Sequence, residues 1–282
     1  MSRIVAVHGV NQYDPTRGAD AAAARLGAAW ARALSQNVPS PLGASELSMT
    51  YYADLLQAAY PAPEGQGPGD DVDRLAPEAV DAVLRWGELL GVGTREAQGR
   101  VLTPVRWVAD GVAKRYGFGQ EPVRRFVARF FPDLLAYLHT PARTRVRQRL
   151  ADAIARHEPR ILIAHSLGSV VAYDTLWQYT DLKVDVLVTL GSPLAMPDVV
   201  LPYLQHPDDS RAFSCPPGAA AWVNLADPGD LVAVPQPLTD TFRGVTACVS
   251  TGIGAFRMHK AGGYLRSAAT AKAVLAYLEP LG

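Results

Sequence analysis

Arg160-Ile161-Leu162-Ile163-Ala164-His165-Ser166-Leu167-Gly168-Ser169-Val170-Val171-Ala172-Tyr173 decides how the rest of the chain is read. Arg160 to Ala164 is a short apolar run with β-branched residues, which predicts a buried strand. Ser169 to Trp177 has small and apolar residues spaced for a helix packed on a sheet. Ala-His-Ser-Leu-Gly lies between them, so the chain should leave a strand, turn sharply at Ser166 and enter a helix. Strand and helix nearly touch at such a turn, and the residues two before and two after the serine are small. Ala164 carries only a methyl group and Gly168 none. Ser166 also sits at a helix N-terminus, whose partial positive charge favours a developing anion.

The five residues are a one-residue variant of G-x-S-x-G, the nucleophile elbow. A serine hydroxyl is a poor nucleophile at neutral pH. It needs a base to take its proton, and the base needs a carboxylate to fix its tautomer. The histidines are His8, His139, His157, His165, His206 and His259. In the order that goes with the nucleophile-elbow motif, serine, then acid, then histidine, only His206 and His259 qualify, and His259 lies in the loop after the last predicted strand, where that order puts the base. His206, in Gln205-His206-Pro207-Asp208-Asp209, reads as a solvated turn. For the acid, Asp230 precedes Leu231-Val232-Ala233-Val234-Pro235, an apolar run that would anchor its loop. Asp227 precedes Pro228 and suits a turn cap, so it is the alternative acid. Asp198, after the preceding strand, is a third candidate. No histidine shows metal-ligand spacing, and no metal or cofactor is expected.

Composition narrows the class. The 282 residues are 49% hydrophobic, enough for the core of one large α/β domain. The formal net charge is zero, which leaves no electrostatic footprint for nucleic acid or an anionic membrane. Cys215 and Cys248 are far apart, so there is no disulfide scaffold, and Cys248 reads as a buried thiol. No apolar stretch is long enough for a transmembrane segment. Met1-Ser2-Arg3 runs straight into Ile4-Val5-Ala6-Val7 without the features of a signal peptide, which reads as cytoplasmic.

Arg3 to His8 is predicted as the first strand, ending in His8-Gly9-Val10-Asn11-Gln12. Asp20 to Leu34 is helical, with Leu26, Ala29, Trp30 and Ala33 on one face. Glu46 to Tyr52 reads as a strand and Tyr60 to Asp73 as an exposed Pro/Gly/Asp loop. Helices are expected over Pro77–Leu90, Val101–Tyr116 and Pro122–Leu138. The last carries Phe126, Phe130 and Phe131 in an apolar stripe, which reads as core or as a cap over the site. An aromatic cap would favour an acyl or lipid-like substrate. Pro141 to Arg156 is a basic helix whose arginines are expected on a solvated face. Val184–Leu190, Ala221–Leu225 and Gly244–Ser250 are further strands, and Tyr264–Leu278 is a closing helix. This βαβ alternation predicts an α/β fold with a mostly parallel sheet and helices on both faces.

Taken together, the motifs resemble the α/β-hydrolase superfamily, in its lipase/esterase branch. Val7-His8-Gly9-Val10 resembles the lipase HG oxyanion loop, and Ala164 to Gly168 resembles the GHSLG elbow. Leu190-Gly191-Ser192-Pro193 resembles the strand end of many lipases. Asp230-Leu231-Val232 resembles the D-x-V acid loop, and His259 followed by Tyr264 resembles the histidine loop of class-3-like lipases. The resemblance runs from Arg3 to the last helix and leaves a helical insertion at about 55–140 unmatched. It implies one domain over 1–282 and, because the chain enters at the HG strand, a reduced sheet of about six strands. It implies a Ser166–Asp230–His259 triad hydrolysing carboxylic esters through an acyl-enzyme. The oxyanion would rest on the backbone amides of Val10 and Leu167, with His8 buttressing its loop. The substrate would be a small-molecule acyl ester or lipid-like molecule. A thioesterase, lipid deacylase or peptidase could use the same triad, and a degenerate copy could be a non-catalytic binding protein.

Overall fold

In the computed structural model, which describes residues 2–38, 42–43, 45–59, 72–93, 103–204, 213–254 and 259–278, the apolar runs form a six-stranded sheet. The strands are β1 (Ile4–Val7), β2 (Leu47–Thr50), β3 (Ile161–His165), β4 (Val184–Leu190), β6 (Ala219–Ala226) and β8 (Ala247–Ser250). Their order is β2-β1-β3-β4-β6-β8, and every neighbouring pair is parallel. Two short strands, β5 (Phe213–Ser214) and β7 (Phe242–Arg243), form a separate parallel pair that the sequence reading did not anticipate.

Both faces of this sheet are covered, as an all-parallel sheet requires. Side chains alternate along each strand. Ile4, Ala6, Ile161, Ile163, Val186 and Val188 pack in one buried cluster with Trp30 and Leu34 of α1 (Ala19–Leu34) and Val274 of α9 (Ala268–Leu278). Val5, Val7, Leu162, Ala164 and Leu187 point the other way, into a larger cluster built from the remaining helices. These are α2 (Ala53–Ala59), α3 (Pro77–Leu89), α4 (Pro104–Tyr116), α5 (Gln120–His139), α6 (Ala142–His157) and α7 (Leu167–Gln178). The apolar stripe of α5 is core: Val127, Phe130, Phe131 and Leu134 are fully buried.

Strand register positions the site. Ala6 pairs with Ile163 and Val7 with Ala164, so His8-Gly9 and His165-Ser166 emerge side by side. His165 pairs with Leu190, and Leu190 with Leu225, which brings Gly191 and the loop after β6 to the same edge. After β1 the chain moves outward to β2, then returns to the far side of β1 for β3. The crevice between β1 and β3 is therefore the topological switch point, where open α/β sheets bind ligands.

Four expectations need correction. The predicted closing helix is two: α8 (Ala261–Leu265) and α9, separated at Arg266-Ser267. Ser267 Oγ accepts the Thr270 N–H at 3.1 Å, an N-cap that starts the second helix. The arginines of α6 are not all on a solvated face. Arg143 pairs with the fully buried Asp174 of α7, which also accepts from Tyr137 Oη at 2.8 Å, and Arg149 bonds Asp54 at 2.6 Å. A long guanidinium reaches back past the helix edge, so its position on the helical wheel does not fix its solvation. Cys215 and Cys248 are both free and only half-buried; Cys248 lies on β8, an edge strand that pairs with β6 alone. Finally, Ala53–Ala59 is helical, where no element was expected. The predicted loop at 60–73 falls outside the described residues up to 71, and Val72 beyond it is buried in a short 3-10 turn.

Candidate active site

Ser166 is the hinge between β3 and α7. Its backbone lies at φ 55° and ψ −130°, a conformation that costs a non-glycine residue about 1–3 kcal/mol. The surroundings enforce it. The Ser166 N–H donates to Leu190 O at 3.0 Å, and the Ser166 carbonyl accepts from Ser169 N at 2.9 Å and Ser169 Oγ at 2.6 Å. Helix and strand approach so closely that a Cβ on Gly168 would stand 2.5 Å from His8 O and 2.6 Å from Val7 O. A Cβ on Gly9 would stand 2.6 Å from Ser166 Cβ. Ala164 is fully buried in the strand, with room for its methyl group.

Asp230 and His259 meet. Nδ1 of His259 lies 2.8 Å from each Asp230 carboxylate oxygen. A carboxylate only accepts, so Nδ1 carries the proton and Nε2 is the basic nitrogen. Asp230 Oδ1 also accepts from Val232 N at 2.8 Å, and Oδ2 accepts from Tyr264 Oη at 2.7 Å. Both Asp230 and His259 are buried. The 259 ring lies between aromatic neighbours: Phe126 and Phe130 of α5 meet it edge-on, and His165 stacks on it with ring centroids 4.7 Å apart. Burial and the neighbouring imidazoles hold His165 well below the usual histidine range, so it faces His259 uncharged. Gly191, at φ 55°, leaves the space the pair occupies. A Cβ there would stand 2.7 Å from Asp230 Oδ2 and 3.1 Å from His259 Cε1.

Asp227 does other work. Its carboxylate accepts from Gly229 N and Ile253 N, each at 2.6 Å, closing the turn and tethering the loop after β8. Asp198 is exposed. His206 lies outside the described residues.

The Oγ of Ser166 and Nε2 of His259 are both buried, and neither has a hydrogen-bond partner among the described residues. The bond between them is thus not formed. Catalytic hydrogen bonds often close only on the substrate complex.

His8 props the neighbouring loop. Nδ1–H donates to Gly9 O at 2.7 Å, Nε2 accepts from Tyr52 N at 3.0 Å, and the ring stacks on Tyr52. Burial pulls its imidazole down to about 4, so the neutral form persists. Beyond it, Val10 is half-buried and Asn11 takes φ 59°. The Asn11 N–H donates to Asp133 Oδ2 of α5 at 2.7 Å, and Arg129 Nη1 donates to Asn11 Oδ1 at 3.2 Å. Helix α3 braces the other loop, because Trp86 Nε1 donates to Leu231 O at 2.7 Å. The sequence reading missed these braces. The Arg129–Asp133 spacing, four residues apart on α5, is a local charge pattern that does not point to Asn11.

A cleft of about 790 Å³ opens beside His259 and His165. Gly9 and Val10, residues of α1 and the start of α5 line it. Ser166 itself is fully buried just behind Gly9 and His165. Among the described residues, no helix is long and apolar enough to cross a membrane. Compared with known proteins, the chain matches no family model, and no curated protein matches it.

Proposed function

We propose that this chain is a serine hydrolase of the α/β-hydrolase type, cleaving carboxylic esters through an acyl-enzyme. The observation that carries this reading is the strained Ser166 at the strand-to-helix turn, beside a buried histidine whose Nδ1 faces a carboxylate. A purely structural turn has no use for that strain, nor for a buried hydroxyl and a buried ring nitrogen left without partners.

In this mechanism His259 Nε2 takes the proton of Ser166 Oγ as the oxygen attacks the ester carbonyl. Asp230 fixes the tautomer and stabilises the imidazolium, and Tyr264 fixes Asp230. The carbonyl oxygen, now negative, accepts from the Val10 and Leu167 amides. Leu167 opens a helix, where amides lack intrahelical acceptors. As the tetrahedral adduct collapses, the imidazolium gives its proton to the leaving alcohol. Water then repeats the sequence: His259 takes its proton, hydroxide adds to the acyl carbon, and the proton returns to Ser166 as the acid leaves. In this reading α5, whose first turns line the cleft, presents Phe126 and Phe130 to the base.

The test is labelling with a fluorophosphonate and turnover of short p-nitrophenyl esters. The wild-type protein should be labelled and active, and Ser166→Ala neither. Undiminished turnover by that variant would remove Ser166 as the nucleophile.

A further inference from the structure

The chain has no net charge, yet the cleft does. Arg125, Arg129, Lys260 and Arg266 line it, against a single acidic residue, Glu121. Some of that charge is already offset. Glu121 pairs with Arg125 at 3.1 Å, and Asp133, behind the wall, acts electrostatically on Arg129. Setting those two pairs aside leaves Lys260 and Arg266, neither of which has an ion-pair partner among the described residues. Lys260 is exposed and adjoins the base, and Arg266 is half-buried at the end of α8. Leu26, Ala29 and Trp30 of α1 and Leu265 add apolar side chains to the same lining. One cleft therefore offers both cations and hydrocarbon within the space that reaches His259.

We infer that the ester cleaved here is an anionic amphiphile: an apolar chain or ring bearing a carboxylate, sulfonate or phosphate group. This rests on the serine-hydrolase reading above. The anion meets the Lys260–Arg266 side of the mouth while the apolar part lies on α1. A mouth of one sign with low-dielectric walls concentrates oppositely charged substrate.

Matched ester pairs test this. One pair carries the anion on the acyl side: p-nitrophenyl hexanoate against the mono-p-nitrophenyl ester of adipic acid. The other carries it on the leaving group: phenyl acetate against 4-sulfophenyl acetate, each corrected for spontaneous hydrolysis and for leaving-group pKa. At low salt, kcat/KM for the anionic member of at least one pair should exceed that of its neutral mate about tenfold. That is the size expected of two partly screened contacts. The advantage should shrink as salt rises to about 0.5 M, and the anionic-to-neutral ratio should fall towards one in the double variant K260Q/R266Q. A ratio near or below one in both pairs, or a preference indifferent to salt and to the variant, overturns the anionic assignment alone. If no ester is hydrolysed and no fluorophosphonate label forms, the hydrolase reading falls and the substrate class falls with it.

Discussion

Nδ1 of His259 sits 2.8 Å from both carboxylate oxygens of Asp230, while Asp227, three residues earlier, uses its oxygens on backbone amides. The two aspartates are equivalent in type and close in sequence, and only the fold separates their tasks. Asp230→Asn should therefore lower kcat by about 10³–10⁴ with KM little changed, because the imidazole loses the partner that selects its tautomer. Asp227→Asn should keep kcat within about tenfold and cost roughly 1–2 kcal/mol of stability from the tethered turn. Ester kinetics and urea unfolding of the two variants decide the matter. A crippled Asp227→Asn beside a competent Asp230→Asn would reverse the assignment.

Tyr264 tests whether the proposed acid, Asp230, needs support. Its hydroxyl donates to Asp230 Oδ2 at 2.7 Å and accepts from Asp227 N at 2.9 Å, and it is fully buried. Burial and the nearby Asp230 push its own ionisation far upward, so it acts only as a neutral hydrogen-bond bridge. Tyr264→Phe removes both bonds without changing the ring. We expect a stability loss of about 1–3 kcal/mol and a fall in kcat of about tenfold. An unchanged kcat with lowered stability would make Tyr264 structural only.

The fold was legible because a parallel sheet buried on both faces leaves continuous apolar runs. Ile4–Val7, Ile161–His165 and Val184–Leu190 could hardly be anything else, and their alternation with helical patterns gave the connectivity. Of the candidate site, the strand-to-helix turn at Ser166 was legible because its signal is local. What rests on long-range contact was not. Nothing local to Asn11 announces Asp133, and nothing in Gly191 announces the carboxylate it makes room for. The choice between Asp230 and Asp227 is of the same kind. The split of the last helix is a different case: the cap at Ser267 is local, three residues from Thr270, but was outweighed by an unbroken helical pattern.

His8 makes the stability of the fold pH-dependent in a defined direction. Its folded imidazole lies at about 4 against 6.5 when exposed, chiefly through burial. Between those values the unfolded chain binds more protons, so this contribution is complete above pH 6.5 and is lost as pH falls towards 4. From pH 7.5 to 5 the loss amounts to roughly 2 kcal/mol. Asp133 works in the opposite sense. Burial raises its carboxyl to about 6 from 3.8, which favours the folded state as pH falls through 6. The two partly cancel in the wild-type protein. His8→Gln should therefore gain stability on going from pH 7.5 to 5, relative to the wild type, and Asp133→Asn should lose it. Urea unfolding at the two pH values checks both signs, and parallel curves for all three proteins would contradict them.

The glycines around the serine divide into those that protect the fold and those that protect the chemistry. A Cβ on Gly168 would stand 2.5 Å and 2.6 Å from the backbone oxygens of His8 and Val7, which belong to the central sheet edge and cannot yield cheaply. Gly168→Ala should therefore cost about 3 kcal/mol or more in stability. A Cβ on Gly9 meets the Ser166 side chain at 2.6 Å and His165 Nδ1 at 2.9 Å. That position can relax by moving side chains, among them the proposed nucleophile, so Gly9→Ala should lose more than about 100-fold in kcat for a smaller loss of stability. Ala164→Gly restores the usual glycine at the first small position, but the existing methyl is already accommodated in a buried strand. It should cost about 1 kcal/mol through chain entropy and leave kcat within about twofold. Thermal unfolding and ester turnover of the three variants separate these cases. A fully active, fully stable Gly168→Ala would mean that helix and strand do not approach as closely at the elbow as this geometry requires.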